Sequence, residues 1–282
     1  MKHEAHSHGI PEAEMESIGQ LAFELATLAG AEIVSALGSL FTVRYKSVAT
    51  DSELWRDPVS EVDQRIESKL RERLAKRFPS HDVIGEEMQI EGRGSECVWA
   101  VDPIDGTTNF VNGFPMFAAS IGVLHKGYPV AGAVWCSASH ALRAGVYHAI
   151  VGGKLRFEGD DVTPKINPAV RSGLAGVPVA APEDAAWETR KTGSAAIECA
   201  MVGAGLLRVA RFATPNIWDV AGGLALVRTA GGVIRQSDGK NWIPFEKFDA
   251  SSESKAGLRG WHRPLIIGTP RAVEQMCAAR AA

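Results

Sequence analysis

Residues 97–110 constrain this chain more than any other segment. Cys97-Val98-Trp99-Ala100-Val101 reads as a buried strand, and it runs straight into Asp102-Pro103-Ile104-Asp105-Gly106-Thr107-Thr108-Asn109-Phe110. An apolar strand must therefore end on two carboxylates three residues apart, with Pro103 fixing the bend and Gly106 permitting a tight turn. Thr107 and Thr108 can cap a short helix, whose first backbone N–H groups form a natural anion site. Carboxylates beside an anion site repel the anion unless a cation lies between them. Oxygen ligands of this kind suit Mg²⁺, which bridges carboxylates and phosphate. Taken alone, the run is equally compatible with a capped turn bearing two solvated aspartates.

The rest of the chain supplies helices and strands in alternation. Ile18, Leu21, Ala22, Leu25, Leu28, Ile33 and Leu37 recur at helical steps, predicting a helix from Met15 to a stop at Gly38. Residues 41–60 read as a polar loop. Ser60 is a good helix N-cap, and Val62, Ile66, Leu70, Leu74 and Phe78 form one apolar stripe behind it. Asp63 falls in the first turn of that helix. Its basic residues, Lys69, Arg71, Arg73, Lys76 and Arg77, read as a solvated face rather than a nucleic-acid surface. Asp82-Val83-Ile84 is a short strand ending in Gly85-Glu86-Glu87, and 114–136 a hairpin turning near 126–129. Residues 150–192 have little pattern and suggest a subdomain junction. A buried helix over 194–207, another over 219–228, strands at 233–234 and 265–268, and a terminal helix over 270–282 complete the order. This alternation predicts a layered α/β or α+β protein.

Length and composition narrow the classes further. The 282 residues, 45% hydrophobic and 22% charged, suffice for one large domain or two packed ones. A formal net charge of −3 counts against a dedicated nucleic-acid binder. Cys97, Cys136, Cys199 and Cys277 are scattered, with no metal-site or disulfide spacing, and suit a reducing cytoplasm. The N-terminal residues are polar where a secretory leader needs an apolar core, so no signal peptide is expected. No uncharged apolar run of about 18 residues marks a membrane span; 195–210 comes nearest, interrupted by Glu198 and Arg208. His3, His6 and His8 lie in a lead-in expected to be flexible. His81, His125, His140, His148 and His262 have no catalytic or metal spacing.

Three more acids join Asp102 and Asp105: Glu86 at a strand end, Asp219 in Trp218-Asp219-Val220-Ala221-Gly222, and Asp63. Together they supply enough oxygen ligands for two or three hard cations around one phosphate. The set DPVSEVD (57–63), GEE (85–87), WAVDPIDGTTNF (99–110), FPMFAASIGV (114–123), GSAA (193–196), WDVAGG (218–223) and AGGVI (230–234) resembles the inositol monophosphatase family of lithium-sensitive, magnesium-dependent phosphatases. Haloacid dehalogenase-type phosphatases also use a D-G-T run, but they need an aspartate where Pro103 stands.

The resemblance implies a layered αβαβα sandwich of the inositol monophosphatase–fructose-1,6-bisphosphatase type. It divides into a lead-in (1–14), an N-terminal α+β half with the metal motifs (15–155) and a C-terminal α/β half with the substrate-side residues (156–282). It implies one Mg²⁺ on Glu86, Asp102 and the Ile104 carbonyl, and a second on Asp102, Asp105 and Asp219. Glu86 would reach a third, weaker site through water. Gly106 and Thr107 would bind phosphate oxygens, and Asp63, Thr107 and Glu86 would orient the attacking water. Gly193, Ser194 and Ala195 would meet the leaving alcohol of a small phosphate monoester. A homodimer, lithium sensitivity and no membrane association are further expectations.

Several residues depart from the family pattern. Phe212 stands where inositol phosphatases carry a glutamate that bonds a substrate hydroxyl, which leaves it to stack or to pack. Asn216 is a candidate replacement contact. Residues 159–190 look short and lack an obvious strand–helix pair. Glu158-Gly159 replaces an Asn-Gly turn. The 46–63 loop looks long, with Lys46 a candidate for the family's loop lysine. The substrate therefore stays open among inositol or sugar/polyol phosphates, histidinol phosphate, fructose 1,6-bisphosphate and 3′-phosphoadenosine 5′-phosphate. An RNA- or transcription-associated binding role on the same fold is the alternative from another class.

Overall fold

In the computed structural model, which describes residues 9–37, 43–45, 58–163, 173–178, 187–250 and 257–278, the first apolar stripe forms α1 (Glu12–Ala36). The helix begins ahead of Met15, behind Pro11, with Glu12 and Glu14 complementing the helix dipole in the first turn. By length and composition α1, rather than 195–210, comes nearest to a membrane span, although Glu16, Glu24 and Glu32 interrupt its apolar run. Its apolar side, from Met15 and Ile18 to Ile33, is buried in the protein's own core.

The second stripe forms α2 (Glu61–Arg77), which buries Val62, Ile66, Leu70 and Leu74 in that same core. Its cations are largely neutralised within the molecule. Lys69 and Arg65 reach Glu32 of α1 at 2.6 and 3.4 Å, Lys76 pairs with Glu72 at 2.6 Å, and Arg71 with Glu67 at 2.7 Å. Ahead of α2, the expected loop holds a two-stranded antiparallel ribbon, β1 (Val43–Tyr45) with β2 (Pro58–Ser60). Lys46 and the segment 46–57 lie outside the described residues, as do His3, His6 and His8.

A seven-stranded sheet follows in sequential order: β3 (Asp82–Gly85), β4 (Cys97–Asp105), β5 (Ala118–His125), β6 (Tyr128–Cys136), β7 (Gly145–Ile150), β8 (Arg156–Phe157) and β9 (Asp160–Asp161). Only β3 and β4 pair in parallel; every later neighbour is antiparallel. The β5–β6 turn is Lys126-Gly127, both left-handed (φ 52° and 83°), as a two-residue hairpin turn demands. Glu158-Gly159 repeats this geometry between β8 and β9 (φ 53° and 92°). The Glu158 carboxylate accepts the Val146 N–H at 2.6 Å, a bond that holds the turn where asparagine is usual.

The second sheet has six strands in the order β11-β10-β12-β15-β13-β14. They are β10 (Gly173–Gly176), β11 (Trp187–Arg190), β12 (Val209–Phe212), β13 (Val233–Ser237), β14 (Trp242–Pro244) and β15 (Leu265–Gly268). The patternless stretch thus supplies strands β8 to β11. The helices α3 (Thr107–Val111), α4 (Ala195–Gly203), α5 (Ile217–Thr229) and α6 (Pro270–Ala278) are the remaining α-helices among the described residues. α1 and α2 cover one face of the first sheet, α4 and α5 lie between the sheets, and α6 covers the outer face of the second. The order of layers is αβαβα, as expected.

The central helix α5 lies unusually close to the first sheet. A Cβ on Gly132 of β6 would collide with the Gly222 backbone, and one on Gly122 of β5 would stand 2.5 Å from Ala221 and from the Gly222 nitrogen. Backbone therefore rests on backbone at this crossing.

Candidate active site

The parallel pairing of β3 and β4 brings two carboxyl-terminal strand ends side by side, the usual location of ligands in sheets of this kind. Gly85 ends β3, and the Glu86 N–H continues the ladder to the Val101 carbonyl at 3.2 Å. β4 runs on to Asp105 instead of ending at Asp102, with a register shift against β5 between the two aspartates. Gly106 then turns in the left-handed region (φ 90°) and caps α3. A Cβ there would press to 3.2 Å on the carbonyls of both Met116 and Gly193. From α2, Asp63 approaches the same turn. The Thr107 hydroxyl lies 2.9 Å from the Ile104 carbonyl and 3.3 Å from Asp63 Oδ1, so its one hydrogen serves either acceptor.

The C-terminal half closes the site through α4 and α5. Ser194 caps α4, accepting the Ile197 N–H at 3.3 Å, and donates its hydroxyl to Asp105 Oδ2 at 2.6 Å. The Ala196 N–H reaches the same oxygen at 2.5 Å. Asn216 caps α5, and its backbone N–H (2.7 Å) and side-chain amide (3.4 Å) both lie against Asp219 Oδ2.

The acids feel one another strongly. Asp102 is 1% exposed, and its Oδ1 is buried with no hydrogen-bond partner. Burial pushes its pKa well above the ordinary range, and the charges of Glu86, Asp105 and Asp219 push it further. Asp105 is raised to about 7 by burial, against the opposing bonds from Ser194 and Ala196. A bare buried carboxylate among three others is unfavourable unless a cation or a proton compensates it. Among the described residues no group of three His, Cys, Asp or Glu side chains stands as a finished metal-ligand set. The fit to a hard divalent cation rests on the donors themselves: four carboxylates, all oxygen, with one oxygen orphaned.

The substrate-side residues divide. Ser194 faces Asp105. Phe212 is 6% exposed and packs in the core between the sheets, alongside Ile217, Trp218 and Leu265. The Asn216 amide is directed at Asp219. Three of the isolated histidines are satisfied locally: His81 accepts from Trp99 Nε1 at 3.0 Å, His125 contacts Cys97 Sγ at 3.3 Å, and His140 meets the Tyr147 hydroxyl at 2.6 Å. His148 packs against the Phe23 ring, with centroids 4.6 Å apart, and its buried Nε2 has no hydrogen-bond partner.

Other residues at the site carry no role in the sequence reading. Asn109 donates one amide nitrogen to Met116 O (2.6 Å) and Thr192 O (2.8 Å), joining the Gly106 turn to the other half. Glu198, which stood out only as a charge in an apolar run, is buried and accepts the Thr192 hydroxyl at 2.8 Å. Burial raises its pKa to about 7. Arg259, in a single helical turn (Gly257–Gly260), donates to the carbonyls of Gly85 and Glu86.

Comparison with known proteins identifies the fold and the family. The sequence model of the inositol monophosphatase family matches residues 14–267. A fructose-1,6-bisphosphatase/inositol-1-monophosphatase from Aquifex aeolicus is 32% identical over 227 residues, 74% of this chain and 82% of that protein. A Neisseria meningitidis relative, named provisionally as the Nus factor SuhB, is 32% identical over 241 residues, 79% of this chain and 88% of its own. The crystal structure of the extragenic suppressor protein suhB from Bartonella henselae superposes with a TM-score of 0.69 at 23% identity, covering 95% of this chain and 98% of its own, which shows the shared fold. With its fold and nearly its whole length in agreement, the chain belongs to the inositol monophosphatase family and is a phosphoric monoester hydrolase.

Proposed function

We propose that the chain is a Mg²⁺-dependent phosphatase of small phosphate monoesters, with inositol and sugar or polyol phosphates as the leading substrates. The observation that carries this reading is the orphaned, buried Asp102 Oδ1 among Glu86, Asp105 and Asp219. In this reading Glu86, Asp102, Asp105, Asp219 and the Ile104 carbonyl hold two to three Mg²⁺. Magnesium, when bound, neutralises charge at the phosphate and acidifies water. Ser194 and Ala196 fix Asp105, and Asn216 fixes Asp219, so both carboxylates present a chosen oxygen to the site. The backbone N–H groups of Gly106 and Thr107 receive phosphate oxygens. The Thr107 hydroxyl, with Asp63 behind it and Glu86 nearby, orients the attacking water. Gly193, Ser194 and Ala195 border the leaving alcohol. Four free thiols support a cytoplasmic location, and a homodimer with lithium sensitivity belongs to the same reading.

The test is phosphate release with Mg²⁺ from inositol 1-phosphate, histidinol phosphate, fructose 1,6-bisphosphate and 3′-phosphoadenosine 5′-phosphate, with Asp102→Asn as the blank. One substrate well above the others names the activity. Equal release by the blank removes the metal assignment. The relative named as a Nus factor supports a second reading, RNA- or transcription-associated binding. The neutralised cations of α2 count against it. RNA binding that is sensitive to salt and survives Asp102→Asn would establish it.

A further inference from the structure

Of the expected ligands, Glu86 alone sits on a loop beyond a strand end, where backbone freedom would blur its position. Here that freedom is removed. The two peptide planes flanking the Glu86 Cα carry four hydrogen-bonding groups. The Gly85 carbonyl accepts from Arg259 Nη1, and the Glu86 carbonyl accepts from Arg259 Nη2 at 3.0 Å. The Glu86 N–H donates to Val101 O at 3.2 Å, and the Glu87 N–H donates to Glu67 Oε2 at 2.7 Å. Every one of the four is held, and by three different parts of the chain.

The holding groups are themselves fixed. Glu67, one turn after Asp63 on α2, is fully buried and also accepts the Met88 N–H at 3.1 Å. Arg71, a further turn on, bonds Glu67 at 2.7 Å and donates to Val83 O (3.3 Å) and Met88 O (3.0 Å). On the opposite side the Arg259 guanidinium lies over the Trp218 ring, 4.8 Å from its centroid. Trp218 immediately precedes Asp219. One arginine thus touches the backbone of the Glu86 segment and the residue beside Asp219, which come from different halves of the molecule.

We propose that Arg259, with Glu67 and Arg71, is a set of positioning residues that fixes Glu86 relative to Asp219 and thereby sets the affinity of the divalent-metal site. The proposal rests on the metal reading above. A planar fork that spans two carbonyls while stacking on an aromatic ring is a task for arginine and not for lysine.

The experiment measures Mn²⁺ binding to the full-length, metal-free protein from the EPR signal of free ion, without substrate, beside the metal-free melting temperature. Arg259→Ala is expected to weaken Mn²⁺ binding by roughly 10- to 100-fold, the usual consequence of removing a group that orients a ligand. Arg259→Lys is expected to fall between it and the wild type. In phosphate release, the Mg²⁺ concentration for half-activity rises in parallel while KM for the substrate stays near wild type. Unchanged Mn²⁺ affinity in a folded Arg259→Ala or Arg259→Lys protein overturns the proposal, as does weakened binding that merely tracks a lowered melting temperature. Should Arg259→Ala fail to fold, Arg259→Lys carries the test alone. Asp102→Asn separates the two ideas. If that variant binds Mn²⁺ as wild type does, the metal reading itself has failed, whatever Arg259 shows.

Discussion

Glu67 and Asp102 are both buried acids at the same edge of the first sheet, and they are solved in opposite ways. Glu67 receives an arginine and two backbone N–H groups, so its charge is satisfied by the protein. Asp102 receives no such donor on Oδ1 and faces three further carboxylates. The first acid holds the chain in place. The second is tolerable only when a cation, or a proton such as it can share with Glu86, completes it. Burial alone does not distinguish scaffold from site; the count of donors around the buried charge does.

The sharpest way to break that contrast is Asp102→Asn. Phosphate release should fall by orders of magnitude, while the metal-free protein should melt higher at pH 8 than wild type. The sign follows from the raised pKa: ionised Asp102 is disfavoured in the fold, and asparagine removes that penalty. On the proposed metal reading Mg²⁺ raises the melting temperature of the wild type, and that rise should be absent from Asp102→Asn. Glu67→Ala should do the reverse to stability. It takes the carboxylate from Arg71, which keeps the Val83 and Met88 carbonyls, and leaves two half-buried N–H groups without their acceptor, for a loss of about 3 kcal/mol by denaturant titration.

Glu198 lies between these cases, bonded by Thr192 yet raised to about 7. Its folded pKa exceeds the unfolded value, so the stability linked to it is present at acid pH and is lost as pH rises from about 4.5 through 7. Glu198→Gln keeps the acceptor for Thr192 and should flatten that slope, gaining up to about 3 kcal/mol on the wild type between pH 5 and pH 8. The smallest effect is expected at Asn216. Asn216→Ala removes a helix cap worth about 1 kcal/mol but leaves the backbone N–H on Asp219, so melting should shift by only a few degrees.

The parts legible in the sequence are those whose geometry is local. Residues 97–110 carry strand, carboxylates and turn within one run, and the four-residue spacing from Val62 to Leu74 places Asp63 on a helix by itself. The ribbon of β1 and β2 was hidden because three-residue strands leave no alternation to read. β10 (GLAG) and β11 (WETR) were hidden because small and polar residues replace the apolar pattern. That Phe212 cannot accept a bond from a hydroxyl follows from its residue type, but its burial depends on partners far along the chain. Arg259 gave no local signal at all: it meets the Gly85 carbonyl across 174 residues.

The bare crossing of α5 on the first sheet bears on how variants of this chain should be interpreted. Gly222, in the very run that marks the site, has no chemistry to perform, yet a side chain there would drive its Cβ to 2.7 Å from the Ile121 carbonyl. The helix would lift, carrying Asp219 away from Asp102. A substitution scan scored by turnover alone would therefore enrol Gly122, Gly132 and Gly222 among the catalytic positions. What such a scan would be detecting is a spacer of zero thickness: the distance across the active site is gauged by the backbone itself, and every added carbon is an error in the gauge.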